Sequence, residues 1–166
     1  MIDVLIQVFS TIPPVFASAL LASLPITELR GALPIALVVY QLDPMTAYVS
    51  TVLGNLIPLF FVFTFLPSLM RFLFRYAPRW NAPIENHFAK LQKKHGKAYS
   101  TWGAFFLFLF VAIPLPGTGV WTGSVLAVLF KIKRSLAIPF IVLGLLLAGI
   151  IVLALTQGIF HGIKLL

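Results

Sequence analysis

The sequence contains no cysteine, and only four of its 166 residues are acidic. The lack of cysteine excludes disulfides, thiol catalysis and metal sites built on thiolates. Charged residues make up 10% of the chain, whereas a soluble domain carries roughly 25%. Hydrophobic residues make up 60%, and the mean hydropathy is +1.05. We therefore predict an integral, multi-pass protein of the cell membrane, with a single membrane domain over residues 1–166.

The twelve basic residues are clustered along the chain. Seven lie between Arg71 and Lys97, and three belong to the motif "KIKR" at 131–134. Basic loops stay on the cytoplasmic side of a membrane, so we expect residues 71–99 to be cytoplasmic. Within this connection, residues 81–99 predict an amphipathic helix on the membrane surface. We expect no nucleic-acid partner, although the net charge is +8.

Two apolar segments are long enough to cross a membrane, which takes about 20 residues. They cover residues 46–70 and 136–157 and contain no charged residue. The apolar segments at 15–42 and 102–130 are broken in the middle by proline and glycine, and each arm is about half a membrane long. We predict that each of these segments folds as a re-entrant hairpin with its tip near the midplane. One alternative stays open for the first hairpin, in which Val4–Leu24 is a complete span kinked at its proline pair.

The two halves of the chain resemble each other. Gly31 and Gly123 follow the two tips 92 residues apart, and Gly54 and Gly144 lie in the spans 90 residues apart. The single span between the halves inverts the second half, and inverted repeats with broken helices are typical of transporters. The predicted fold is an all-α membrane protein of two inverted repeats, each a re-entrant hairpin followed by a transmembrane helix. The repeats cover residues 1–70 and 100–166.

Glu28 and Arg30 are the charged residues of the first hairpin, in the stretch "PITELRG". Each ionised side chain at mid-membrane costs about 2.5–3.5 kcal/mol, so both need a solvated cavity or a partner. We expect an unwound tip, because Pro25 and Pro34 flank it and Gly31 permits unusual backbone angles. Two roles stay open. In a working site Arg30 binds an anion and Glu28 exchanges a proton, whereas a buried ion pair would only hold the hairpins together.

The second tip, "PLPGTGVWTG" at 114–123, is expected to face the first. Proline and glycine free its backbone amides at the start of a short helix, where anions bind. Trp121 either stacks on a substrate or packs, and Asn55 either bonds to a neighbouring helix or contacts the substrate. The predicted substrate-binding and transport residues are Glu28, Arg30, Gly31, Pro114, Pro116, Gly117, Thr118, Gly119, Trp121 and Thr122, with Thr27 and Asn55 as further candidates.

The histidines give no sign of a catalytic or metal site. His87, His95 and His161 are far apart in the sequence, and no nucleophile and base fall together in the membrane segments. We therefore predict no metal, no cofactor and no enzymatic activity.

Two motifs, "ELRGALP" (28–34) and "PLPGTGVWTG" (114–123), resemble the small multidrug export protein family, which looks related to the wider DedA-like (VTT-domain) membrane proteins. The resemblance covers residues 15–157 and implies two opposed re-entrant hairpins and a transport role. Members of the wider group are associated with the flipping of polyprenyl-phosphate or phospholipid, driven by ion gradients. Their first hairpin carries functional acidic and arginine residues, which Glu28 and Arg30 match in type. Their second hairpin usually carries charge, and here it carries none.

The leading hypothesis is a proton-coupled secondary transporter or lipid flippase for an amphiphilic anion. Arg30 and the amides of the second tip would hold the anionic headgroup, and Glu28 would couple protons. The expected partners are membrane lipid, the anionic substrate, protons and a second copy of the chain in a homodimer. Two alternatives stay open: an exporter of small hydrophobic compounds, with Glu28 as counter-ion, and a membrane scaffold that transports nothing.

Overall fold

A computed structural model of the protein describes residues 12–76, 100–115 and 117–164. The expected surface helix at 81–99, Pro116, His87, His95 and the first part of the alternative span Val4–Leu24 lie outside the described residues. Within the described ranges every regular element is an α-helix, which confirms the prediction of an all-α protein. The six helices are α1 (Pro14–Ser23), α2 (Glu28–Val38), α3 (Pro44–Tyr76), α4 (Ser100–Ala112), α5 (Val120–Leu129) and α6 (Arg134–Lys164).

Two of the helices, α3 and α6, are long and apolar enough to cross a membrane. Their qualifying parts are Pro44–Phe72 and Arg134–Ile159, with mean hydropathies of 2.0 and 3.0. The predicted spans 46–70 and 136–157 lie within them. The helices extend beyond these spans because their backbone hydrogen bonding continues into flanking basic residues such as Arg71. The predicted spans end before these residues because hydropathy no longer favours the membrane there.

The other four helices are short and occur in pairs. α1 and α5 have 10 residues and α2 has 11, so each is about 15 Å long, half of a hydrocarbon core of about 30 Å. Irregular segments at 24–27 and at 113–115 and 117–119 join α1 to α2 and α4 to α5. The two breaks overlap the predicted tips, and each begins one residue earlier than predicted.

The first break is shorter than the sequence predicts. α2 begins at Glu28, so Gly31 lies inside a helix, and so does Pro34. The expectation that the tip is unwound as far as Gly31 is therefore wrong, because residues 28–31 are already helical. The helix accommodates Pro34 because the proline removes only one backbone hydrogen bond, the one to the carbonyl of Arg30. The unusual backbone angle falls on Glu28, whose φ is 46°.

Gly54 and Gly144 let the first helix of each pair pack closely against the long helix that follows. A Cβ on Gly54 would overlap the carbonyl of Ala19 in α1, and a Cβ on Gly144 would lie 2.7 Å from the carbonyl oxygen of Phe108 in α4. Small residues at helix contacts allow backbones to approach, which is how membrane helices associate without a hydrophobic driving force between them.

Alanines form much of the remaining helix interface, and large apolar side chains lie outside. Phe60, Trp102 and Met45 are 73%, 71% and 70% exposed, which is typical of a surface covered by lipid or protein. The fully buried alanines are Ala17, Ala22, Ala32, Ala36, Ala47, Ala104, Ala127 and Ala137.

The two halves follow the same local plan. α2 and α5 begin 92 residues apart, and α3 and α6 begin 90 residues apart. Between these helices each half has one non-glycine residue with left-handed backbone, Gln41 (φ 50°) and Lys131 (φ 51°). The next amide, of Leu42 or Ile132, then donates back to a carbonyl of the preceding short helix at 3.0 Å.

The long helices α3 and α6 run in opposite directions. Near the start of α3 the Tyr48 hydroxyl donates to the carbonyl of Leu146, in the middle of α6, at 3.0 Å. Further along α3, Phe63 and Pro67 lie beside residues 131–134, where α6 begins. One small cavity is lined by the start of α2, by the end of the second break and by the middle of both long helices. Its lining includes Glu28, Gly119, Asn55 and Leu145. The tips of the two helix pairs therefore meet at mid-height of α3 and α6.

Candidate functional site

The carboxylate of Glu28 lies at the N-terminus of α5. The residue is 8% exposed, and its Oε1 accepts a hydrogen bond of 3.4 Å from the backbone N–H of Trp121. A Cβ on Gly119, the residue before α5, would overlap this carboxylate. The first amides of a helix carry positive partial charge, so an anion is stabilised there. Glu28 thus occupies the anion position that the sequence assigned to a substrate.

Arg30 extends to the C-terminus of α4. Its Nη2 donates to the carbonyl oxygens of Val111 and Ile113 at 3.3 and 3.2 Å, and its Nη1 donates to that of Leu115. The last carbonyls of a helix have no partner within the helix and carry negative partial charge. Arg30 therefore gives this helix end a positive charge and additional hydrogen bonds.

Glu28 and Arg30 each face a helix end of the opposite polarity. The sequence left open whether the two charges pair with each other or form a working site. In the structure the hydrogen bonds of both side chains go to the second helix pair. This arrangement joins the two tips and compensates charges whose burial would otherwise cost several kcal/mol.

The second helix pair in turn caps the first. The indole Nε1 of Trp121 donates to the carbonyl of Ser23, the last residue of α1, at 3.0 Å. Within each pair a threonine does the same for the preceding helix. Thr27 Oγ1 donates to a carbonyl near the end of α1, and Thr118 Oγ1 donates at 2.8 Å to a carbonyl just after α4. Three predicted substrate contacts are therefore bound to helix ends in this conformation.

Asn55 of α3 lines the cavity between the tips. It is 2% exposed, and its Oδ1 has no hydrogen-bond partner among the described residues. The cavity has a volume of about 10 Å³, and its walls include Glu28, Arg30 and Gly119. A polar cavity of about 10–15 Å³ holds one water molecule. An unpartnered buried oxygen costs about 1–3 kcal/mol, so the amide favours a small polar ligand beside Glu28.

The remaining predicted residues shape the tips and do not line this cavity. A Cβ on Gly31 would make ordinary contact with the Thr27 side chain at 3.4 Å. Gly117 has a φ of 81°, which L-residues rarely adopt, so it provides the turn of the second break. Pro114 and Thr122 are half-buried on either side of that turn.

The sequence identified the start of α5 as an anion site, but it did not identify the helix end that binds Arg30. The carbonyls of Val111, Ile113 and Leu115 are backbone groups and carry no side-chain signal. One signal was available, because the whole segment from 98 to 130 contains no basic residue. The C-terminus of α4 therefore needed a cation from another part of the chain, and Arg30 is the basic residue of the opposing tip.

These features define an all-helical protein with two membrane-length helices and two broken helix pairs whose tips meet. A family described as "Putative small multi-drug export protein" matches residues 28–151, or 124 of the 166 residues. The chain belongs to this family, which confirms the resemblance found in its motifs. The family and the two long apolar helices are consistent with a membrane location. No curated protein and no solved structure matches the chain.

Proposed function

We propose that the protein is a secondary transporter, rather than an enzyme, that moves an amphiphilic anion together with protons. The proposed substrate class is a polyprenyl-phosphate or a phospholipid. The observation that carries the proposal is the position of Glu28, since a titratable carboxylate occupies an anion site between two broken helices. The relation to the DedA-like proteins, implied by the motifs, points to the same substrate class.

The proposed membrane arrangement is a pair of inverted repeats with re-entrant tips. Three observations support it: the antiparallel long helices, the shared local plan of the two halves, and four short helices of about half a membrane in length. In this arrangement Arg71, the connection 71–99 and residues 131–134 face the cytoplasm. Residues 42–45 then lie on the opposite side.

In the proposed cycle a proton and a substrate anion bind together. Protonation of Glu28 removes the negative charge from the N-terminus of α5 and frees its amides. The anionic headgroup then takes the place of the carboxylate, for the same electrostatic reason that held Glu28 there. The cavity beside Asn55 gives the proton a polar route to Glu28 through one water molecule. Because the anion site opens only when Glu28 is neutral, the transport of the anion is coupled to the transport of the proton.

The test measures transport in proteoliposomes that contain a fluorescent phospholipid or polyprenyl-phosphate, between pH 5 and 8. We expect the parent rate to change with pH and the Glu28→Gln rate to be independent of pH. Arg30→Lys should slow transport at least about tenfold, because an ammonium group cannot reach three carbonyls and each lost charged hydrogen bond costs about 1.5–3 kcal/mol. Asp43→Asn is the matched control, since it removes an acid outside the site and should keep the parent profile.

If Glu28→Gln keeps the pH profile of the parent, Glu28 is not the proton carrier. If both site variants fold and transport like the parent, the whole site assignment is wrong. If the parent moves neither lipid, and the Glu28→Gln variant yields less folded protein than the parent, the protein is a scaffold instead.

Export of small hydrophobic compounds is the second candidate, because the description of the family names multi-drug export. In that mechanism Glu28 acts as the counter-ion of a hydrophobic cation. The same proteoliposomes loaded with a fluorescent cation separate the two candidates. Cation efflux that needs Glu28, without lipid movement, would favour the exporter over the anion transporter.

A further inference from the structure

The motif "KIKR" at 131–134 gathers three cations around one open groove. Lys131, Lys133 and Arg134 line this groove, whose volume is about 330 Å³. That size falls within the range of ligand sites, roughly 300–1,000 Å³. The preference of basic residues for the cytoplasmic side explains which end of the molecule they occupy. It does not explain why they surround a cavity.

The groove is apolar along its other wall. None of its described lining residues is acidic. The groove thus has one basic wall and one apolar wall. A ligand with an anionic headgroup and an acyl chain matches both walls, since the acyl chain packs against the apolar wall and the headgroup binds the cations. The apolar lining residues are Phe63, Pro67, Ala127, Val128 and Ile132.

The start of α6 carries the wrong charge for a helix N-terminus. Such an end favours acidic residues, yet α6 has none in its first turn and begins with Arg134. The equivalent position in the first half, 90 residues earlier than Lys133, is Asp43. Its Oδ1 accepts hydrogen bonds of 3.1 Å from the amides of Met45 and Thr46. Hydrogen bonds from the side chain and backbone of Thr46 hold the pKa of Asp43 below its ordinary value.

Lys133 therefore stands where the first half has a capping carboxylate. A lysine ammonium group has no acceptor and cannot cap the amides of α6. The first half supplies an anion at this junction from its own sequence, whereas the second half surrounds the junction with cations. An external anion would satisfy both the helix end and the side chains of Lys133 and Arg134.

We propose that this groove binds an anionic phospholipid from the adjacent leaflet. Its phosphate binds Lys133 and Arg134 at the start of α6, and an acyl chain lies along Phe63 and Pro67. The lipid fixes the junction between α5 and α6, as Asp43 fixes the junction between α2 and α3. The site is distinct from the cavity at Glu28, and the proposal does not depend on what the protein transports.

The test uses the full chain, purified in a neutral detergent, with phosphatidylglycerol as probe and phosphatidylcholine as the zwitterionic comparison. Binding is measured by titration in native mass spectrometry. The parent should prefer phosphatidylglycerol. The double variant Lys133→Gln with Arg134→Gln should bind it about 25-fold more weakly, since each basic side chain near the surface contributes about fivefold. The swap Lys133→Arg with Arg134→Lys retains both charges and should bind like the parent.

Arg71→Gln is the matched control, because Arg71 is an exposed cation near the same end of α3 and does not line the groove. An equal loss of binding in Arg71→Gln and in the double variant would overturn the proposal, since it would show a general effect of charge. Equal binding of the two lipids to the parent would also overturn it. Competition by inorganic phosphate at the same concentration as the lipid would show a free-phosphate site and refute the lipid assignment.

A thermal measurement separates binding from folding. Phosphatidylglycerol should raise the unfolding temperature of the parent and of Arg71→Gln, and it should raise that of the double variant less. The double variant can unfold at a lower temperature than the parent without lipid. If phosphatidylglycerol then raises its unfolding temperature by as much as it raises that of the parent, the result contradicts the proposal.

Discussion

Glu28 combines a buried charge, a left-handed backbone and contact with a glycine of the opposite tip. A non-glycine residue in the left-handed region costs about 1–3 kcal/mol and persists only where its surroundings fix it. The surroundings here are the amides of α5, which hold the carboxylate. Strained residues of this kind cluster at active sites, ligand clamps and switch regions, which agrees with the role proposed for Glu28.

The first prediction concerns the glycine that accommodates this carboxylate. In Gly119→Ala the new methyl group overlaps the Glu28 carboxylate, so we expect the free energy of unfolding to fall by about 1–3 kcal/mol. Gly31→Ala is the control, because Gly31 is helical and its Cβ has room. It should be neutral or stabilising by up to about 1 kcal/mol. Chemical unfolding of the purified protein in detergent measures both.

The origin of this loss can be tested with a double variant. Glu28→Ala removes the overlapping carboxylate, so Gly119→Ala should cost much less in that background than in the parent. If the losses in the free energy of unfolding are additive, the Gly119→Ala substitution destabilises the protein for a reason other than overlap with Glu28.

At the scale of elements, the first short helix of each pair depends on a glycine in the long helix behind it. α1 packs on α3 at Gly54, and the hydroxyls of Ser18 and Ser50 share a hydrogen bond of 2.9 Å across the same contact. α4 packs on α6 at Gly144. These contacts set the position of each break, and hence the positions of Glu28 and of the helix end that Arg30 binds.

We predict that Gly54→Ala displaces α1 from α3, because its methyl group would occupy the position of the Ala19 carbonyl. The expected loss is about 3 kcal/mol or more, since backbone has to move. Gly158→Ala is the matched control on α6, where the added methyl group meets open space. The midpoint of thermal unfolding in detergent should fall in the first variant and stay unchanged or rise slightly in the second. A Gly54→Ala protein as stable as the parent would show that α1 does not pack at this distance.

At the scale of the whole molecule, the antiparallel long helices and the shared local plan lead to one testable topology. The chain has no cysteine, so single cysteines report on sidedness without background. Met45→Cys and Ser135→Cys place thiols at exposed positions near the starts of α3 and α6. In the inverted arrangement a membrane-impermeant maleimide should label the first from outside the cell and the second only after permeabilisation. Labelling of both from one side would contradict the inverted repeat.

The sequence predicts the parts of the fold that depend on hydropathy and on proline and glycine. The long apolar runs locate α3 and α6, and "PLPGTG" locates the second break, because these signals lie in the residues themselves. The extent of the first break was mispredicted, because residues 28–31 already belong to α2 although Gly31 would permit other backbone angles. The partners of Glu28 and Arg30 could not be read directly, because they are backbone groups at helix ends whose position depends on the packing of distant segments.

The long sequence separation between each tip charge and its partner has a consequence for biogenesis. Glu28 lies 93 residues before Trp121, and Arg30 lies 85 residues before Leu115. At a synthesis rate of about 5–20 residues per second, roughly 5–20 seconds pass before the ribosome has made the groups that neutralise the two charges. Throughout that interval the first hairpin would carry uncompensated charge into lipid if it inserted alone. In the proposed re-entrant arrangement, we therefore expect the nascent chain to hold this hairpin at the membrane surface, or inside the insertion machinery, until the second hairpin emerges and both enter together.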